Sequence, residues 1–160
     1  MDEQVLSAGR VRQHGSFQLD LPAAEAFKLF TAAGERLWVP GWSPTILGAL
    51  PQHCGLVFTT GDGAERSIWT VIESEAASGR VRYSRVTPGS RAGIVTVEVA
   101  AIASGSQVDV AYDLTALSAE GETALKAYSS TSFAQMIEDW RGLIVAALVT
   151  ERDALSTLVV

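Results

Sequence analysis

The residues best suited to chemistry in this sequence are aromatic side chains with a few polar groups among them. Strand alternation or helical spacing gathers most of the aromatics onto shared faces, with Met136 beside them: Phe58, Trp69, Tyr83, Tyr112, Phe133, Trp140. Together they could line an apolar pocket in which the tyrosine hydroxyls orient a ligand. The alternative is that the same side chains fill a solid core.

Two charged residues are candidates for polar roles in such a pocket. Arg85 shares the strand parity of Val81 and Tyr83, which directs its guanidinium to the apolar face, where it could bind a ligand carboxylate. Otherwise it extends to solvent or pairs with a nearby acid. Glu35 would be a general acid or base if it were buried, but we interpret it as a helix-surface carboxylate.

Trp38 and Trp42 lie in an irregular segment that contains Pro40, Gly41 and Pro44. Large aromatic side chains in such a segment need shelter, so we expect them to cover one end of the core. They would serve either as structural anchors or as a lid over the mouth of a pocket.

Metal and nucleophile motifs are missing from the pattern. His14, His53 and Cys54 are the only imidazole and thiol groups, and they have neither HxxxH nor CxxC spacing. A Cys54 nucleophile would need an orienting group that we cannot place, and no GxGxxG motif or phosphate loop occurs. We therefore expect no metal and no cofactor, and we assign no catalytic residue.

Composition limits the class of protein. The chain has 160 residues, which is enough for one domain with its own core, and we place the core of that domain at about residues 10–150. The net charge is -6 and there is no basic run, so nucleic acid is not an expected partner. A single cysteine, no signal-peptide pattern and no apolar run long enough to span a membrane predict a cytoplasmic protein.

A long amphipathic helix is predicted over residues 118–150. Apolar residues recur there at steps of three and four, Ser118 can cap the start, and Glu120 and Glu122 suit the first turn. The stretch is longer than a domain of this size is wide, so we expect a frayed start or a kink, with the firm part near 124–148. Gly142 lowers the helix propensity of this stretch, and a strand that passes close to the helix there would be a reason for a glycine. The apolar tail 155–160 should pack on the body or on a second copy.

Strand patterns with short connections precede this helix. A first strand at 10–20 leads into a short helix at 23–30 and at most one further helical turn, and an antiparallel meander follows from residue 55 to 117. Its alternating apolar residues predict a dry face, which only the long helix can cover: Phe58, Trp69, Val71, Val81, Tyr83, Val95, Val97, Val99, Val108, Val110, Tyr112, Leu114.

Several segments resemble a known family. The order of elements is similar to the helix-grip fold of the START-like and Bet v 1-like (SRPBCC) superfamily. More closely, the segments 25–27, 34–35, 38–42, 86–91, 114–118 and 136–140 resemble its polyketide cyclase/dehydrase and lipid transport branch. The resemblance implies an α+β fold: a curved antiparallel sheet of about six or seven strands around a long C-terminal helix, with two short helices after the first strand. It also implies an apolar cavity between sheet and helix.

Three hypotheses of function follow. The first is binding of a hydrophobic small molecule, such as a lipid, a polyketide or an aromatic compound, by Trp38, Trp42, Met136, Arg85 and the six aromatic residues above. The second is an enzyme of the cyclase or aromatase type in the same cavity, which would require an acid or base within reach of the ligand. The third is a protein without a ligand that forms a homodimer through its apolar tail.

Overall fold

Seven strands form one antiparallel sheet in the computed structural model, which describes residues 8–160. The strands are β1 (Arg10–Leu19), β2 (Thr45–Leu47), β3 (Val57–Thr60), β4 (Ser67–Glu75), β5 (Arg80–Thr87), β6 (Arg91–Ile102) and β7 (Gly105–Ala116). Their order across the sheet is β1-β7-β6-β5-β4-β3-β2, with every neighbouring pair antiparallel. The predicted meander is confirmed. The first strand, β1, extends the open sheet by pairing with the last strand, β7.

The strand alternation is also confirmed. Every residue of the predicted dry face is buried, and the alternating residues between them on β5, β6 and β7 are partly or fully exposed. A register shift between Val71 and Glu73 interrupts β4 beyond the part that faces the core. The sheet therefore offers one continuous apolar face to the rest of the chain.

Three α-helices complete the fold: α1 (Ala23–Lys28), α2 (Ala119–Leu125) and α3 (Ser130–Thr157). A 3₁₀ helix, Gly34–Leu37, follows α1, so the two short helices predicted after the first strand are both present. Shorter 3₁₀ turns occupy Gly63–Glu65 and Lys126–Tyr128. Helix α3 lies on the apolar face of the sheet, where Tyr112 of β7 meets Phe133 of α3 with ring centroids 5.3 Å apart.

The bounds predicted for the long helix were wrong, although the predicted kink is present. Ser118 does cap a helix, since its Oγ accepts from the Gly121 amide at 3.1 Å, but that helix is the short α2. Ser129 then caps a new helix by accepting from the Ser132 amide at 3.2 Å. The main helix accordingly begins later than expected and continues to Thr157, because Leu155 is buried and extends its apolar face.

The close approach between helix and strand occurs at Gly15 of β1 and not at Gly142. A Cβ added to Gly15 would lie 2.9 Å from Cγ1 of Ile137 on α3, whereas a Cβ on Gly142 would meet nothing within 4 Å. The glycine that lets the helix settle on the sheet therefore belongs to the strand. The reason considered for Gly142, a strand passing close to the helix, is therefore absent.

The apolar tail packs partly on the body of the protein. Leu155 is buried and Leu158 is packed against the core, while Val159 and Val160 are exposed. Nothing in these contacts tests a homodimer, which stays a prediction. Among the helices of residues 8–160, none combines the length and apolar character needed to cross a bilayer.

Candidate functional site

A cavity of about 180 Å³ lies between the apolar face of the sheet and α3, and the 3₁₀ helix contributes to its lining. Most of the predicted site residues line it: Trp38, Trp42, Phe58, Trp69, Tyr83, Arg85, Tyr112 and Trp140. Glu35, Thr60 and three valines complete the lining. The lining residues come from the 3₁₀ helix and the segment after it, from the five strands β3 to β7, and from α3.

Trp38 and Trp42 serve both as anchors and as walls of the cavity. The Trp38 indole N–H donates to the carbonyl oxygen of Leu29 at 2.8 Å, and that of Trp42 donates to the carbonyl oxygen of Ala32 at 2.9 Å. Their rings nevertheless reach the cavity, where Trp38 packs edge to face on Trp140 with centroids 5.3 Å apart. The two indoles are therefore fixed by the backbone around α1, which holds the rim of the cavity in place.

The hydroxyl of Tyr83 belongs to the scaffold and is not free to orient a ligand. It donates to the carbonyl oxygen of Phe30 at 2.6 Å and lies 3.2 Å from Oε1 of Gln52. Gln52 Oε1 also accepts from the Ala32 amide at 2.8 Å. This buried network ties the segment after α1 to β5, and burial raises the pKa of Tyr83 well above its ordinary value.

Arg85 directs its guanidinium into the cavity, as its parity predicted. The guanidinium carbon lies 4.9 Å from the centroid of the Trp69 ring, a cation–π arrangement, and Nη1 is 3.5 Å from the Tyr128 hydroxyl. Its Nε is buried and has no hydrogen-bond partner in the described part of the chain. A guanidinium carries five N–H donors, so those of the terminal nitrogens could serve an oxygen atom of a ligand, whereas the enclosed Nε could not.

Glu35 also lines the cavity, so its interpretation as a helix-surface carboxylate was wrong. The reason is Gly34: a Cβ there would lie 1.7 Å from the Lys28 carbonyl oxygen, so only glycine lets the 3₁₀ helix pack this closely on the end of α1. That packing brings Glu35, which is partly exposed, into the lining of the cavity. Burial raises the pKa of the Glu35 carboxyl to about 8, and the nearby Arg85 charge opposes that rise.

Solved structures with the same arrangement identify the fold. The chain is similar to a protein of Rhizobium leguminosarum with a TM-score of 0.65 and 12% identity, over 89% of this chain and 96% of that one. It is similar to norcoclaurine synthase of Thalictrum flavum with a TM-score of 0.60 and 11% identity, over 91% and 99%. Major latex-like protein 151 of Panax ginseng gives a TM-score of 0.64 and 11% identity, over 86% and 96%.

Norcoclaurine synthase and the major latex-like protein are members of the Bet v 1-like, or SRPBCC, fold. This chain has the Bet v 1-like helix-grip fold. The sequence matches no protein-family model and no curated protein sequence. The likeness therefore concerns the fold, and the polyketide cyclase/dehydrase and lipid transport branch stays a prediction.

Two predicted site residues lie elsewhere in the helix-grip fold. Phe133 of α3 is buried against Tyr112, and Met136 of α3 is partly buried against the core. Neither residue lines the cavity. Both sit on the α3 stripe that also carries Trp140, and spacing alone could not separate the core part of that stripe from the part over the cavity. Their role as ligand contacts stays a prediction.

The imidazole and thiol groups lie outside the cavity of this helix-grip domain. His14, His53 and Cys54 are all exposed. Within residues 8–160, no three His, Cys, Asp or Glu side chains are grouped so that they could hold a metal ion. The chemistry of the cavity therefore has to be argued from Glu35, Arg85 and Tyr112.

Proposed function

We propose that the protein binds a single-ring aromatic compound with a carbonyl or carboxylate oxygen, in the cavity between the sheet and α3. The observation that carries this proposal is the pairing of an aromatic lining with the guanidinium of Arg85, which lines the same cavity and lies 4.9 Å from the centroid of the Trp69 ring. Aromatic walls favour a planar apolar body, and the guanidinium favours an oxygen acceptor at one end of it.

The volume of the cavity supports a small ligand. About 180 Å³ is below the range of roughly 300–1,000 Å³ that is usual for sites of drug-sized ligands. It is close to the roughly 150 Å³ of an engineered cavity that admits benzene. A lipid or a polyketide chain would need the two anchored tryptophans or α3 to move, so a one-ring ligand is the better match.

The fold is compatible with binding and with catalysis. The similar structures include an enzyme, norcoclaurine synthase, of which a point mutant is known in complex with a transition-state analogue. They also include a major latex-like protein. Binding is the property that either function would require, so it is the one to test first.

Isothermal titration calorimetry with phenylacetate and phenylacetone tests the proposal. Both probes should bind one to one, and Val97→Phe should abolish binding because it adds a ring to a buried residue of the lining. The matched control is Val86→Phe on β5, which lies outside the lining and should bind as the native chain does. Failure of both probes to bind, or equal binding by Val97→Phe, would contradict the proposal.

Arg85 can be tested separately. Arg85→Met keeps an apolar stem over Trp69 but removes the donors, and a charge-assisted hydrogen bond contributes about 1.5–3 kcal/mol. The affinity for phenylacetate should therefore fall about tenfold or more. Unchanged affinity would mean that the oxygen of the ligand binds elsewhere.

A further inference from the structure

Glu35 and Tyr112 bring two more polar groups to the lining of the cavity. The pKa values of both are governed by burial and by neighbouring charges, with no side-chain hydrogen bond among their causes within the described residues. The Arg85 guanidinium makes one long hydrogen bond within the same residues, from Nη1 to the Tyr128 hydroxyl at 3.5 Å. A cavity that served only to hold an apolar body would gain nothing from three polar side chains in its lining, because withdrawing polar groups from water costs free energy unless they are hydrogen-bonded.

We propose that the cavity catalyses proton transfer at a carbon atom next to a carbonyl group, with Glu35 as the base and Arg85 and Tyr112 as hydrogen-bond donors to the enolate oxygen. This inference rests on the proposed function, because the substrate would occupy the same cavity. The substrate class is a one-ring aromatic ketone or a related carbonyl compound.

The placement of the three groups fits the roles of one base and two hydrogen-bond donors. Glu35 enters from the 3₁₀ helix, whereas Arg85 and Tyr112 enter from β5 and β7 of the sheet. A sphere of about 180 Å³ is roughly 7 Å across, so one ring with its carbonyl group would be large enough to contact both the 3₁₀ helix and the sheet. A substrate held with its oxygen toward the sheet would therefore present an adjacent carbon toward the 3₁₀ helix.

The chemical step needs only the groups already present. The Glu35 carboxylate takes the proton, the C–H bond breaks, and its electron pair forms a carbon–carbon double bond while the carbonyl π electrons move to oxygen. Arg85 and Tyr112 donate hydrogen bonds to the resulting enolate oxygen. Glu35 then returns the proton to the same carbon, or to the far end of a conjugated double bond, which would give an isomer.

The electrostatics of the cavity suit the two protonation states that this step uses. Burial raises the pKa of Glu35 to about 8, so its carboxylate is a stronger base than an exposed one, and roughly a tenth of it is ionised at neutral pH. The titratable groups that face Glu35 are Arg85 and Tyr83 on β5 and Tyr112 on β7, while α3 contributes only the non-titrating Trp140. Burial keeps Tyr112 a neutral donor, because it raises the pKa of the phenol.

Deuterium incorporation into phenylacetone and acetophenone, followed by proton NMR in D₂O, tests the inference. The native protein should accelerate the loss of the protons next to the carbonyl, with a rate that rises as a group with a pKa near 8 loses its proton. Glu35→Gln should lose about a hundredfold of the acceleration at saturating phenylacetone, whereas Tyr112→Phe should retain part of it. Glu75→Gln, an exposed carboxylate at the end of β4, is the matched control and should behave as the native protein does.

The outcomes separate the two proposals. If the ketones bind but do not exchange faster than in buffer, or if Glu35→Gln exchanges as fast as the native chain, the catalytic inference is overturned and the binding function stands. If phenylacetate binds but neither ketone does, the catalytic inference fails and the binding function stands. If phenylacetate and the ketones all fail to bind, both proposals fail.

Discussion

The buried carboxyl of Glu35 should make the protein less stable as the pH rises. Its pKa is about 8 in the folded protein and 4.5 for the free group, which stands for the unfolded chain. Between these values the unfolded chain has released this proton and the folded chain still holds it, so raising the pH favours unfolding. The contribution is constant below about pH 4.5 and above about pH 8, and the loss is confined to the window between them.

The size of this effect follows from the shift. One pKa unit corresponds to about 1.36 kcal/mol, so a rise from about pH 5 to about pH 8 lowers the free energy of unfolding by about 3 kcal/mol. The contact of Glu35 with the cavity makes this an upper value, since water in the cavity would solvate the charged form. A small domain has only about 5–15 kcal/mol in total, so the change is large enough to measure.

Urea denaturation followed by far-UV circular dichroism, at pH 5, 7 and 8.5, checks the prediction. Glu35→Gln should match the native chain at the lowest pH and exceed its stability at the highest, by up to about 3 kcal/mol. Glu75→Gln should keep the native pH dependence, since that carboxylate is exposed. Asp113, whose pKa is lowered by its hydrogen bond from Arg10, loses its contribution only as the pH falls below this window. Parallel curves for the native chain and Glu35→Gln would refute the burial of this group.

Further predictions concern the packing around the site and the tail. Gly142→Ala should raise the free energy of unfolding by about 1 kcal/mol, because it improves helix propensity at a position with free space. Gly15→Ala should lower the free energy of unfolding by about 1–3 kcal/mol through overpacking. Urea midpoints that shift in the same direction for the two variants would contradict this. Tyr83→Phe should lose about 1–3 kcal/mol in the same assay, because it leaves the Phe30 carbonyl unpaired, yet bind phenylacetate unchanged. A chain that ends at Leu158 should keep the native melting temperature and, if the tail drives no dimer, the native mass in light scattering.

The sheet and its covering helix could be predicted because they depend on local patterns. Alternation along β5, β6 and β7 identified the buried face, and Ser118 was recognised as a helix cap from residue type alone. Strand β2 was missed, since Thr45–Leu47 is short, stands between Pro44 and Gly48, and exists as a strand only by pairing with β3. Its formation depends on a tertiary contact that has no local signature.

The same distinction applies to the site. Arg85 was placed correctly because strand parity fixes its direction, provided that no bulge intervenes. The prediction that Glu35 lies on a helix surface was wrong, because the direction of its side chain depends on how closely Gly34 packs on α1. In the sequence, a glycine between two apolar segments indicates only a turn. The residue on which the catalytic inference depends was thus the one whose orientation is decided by packing between elements.

The distribution of indole rings has a consequence for experiments. The sequence contains four tryptophans, and all of them line the cavity: Trp38, Trp42, Trp69 and Trp140. The intrinsic fluorescence of the protein therefore originates almost entirely at the rim and walls of this one volume, within reach of the Arg85 charge and of any aromatic occupant. The chain carries its own optical reporter, so that quenching or a spectral shift can follow occupancy without a label.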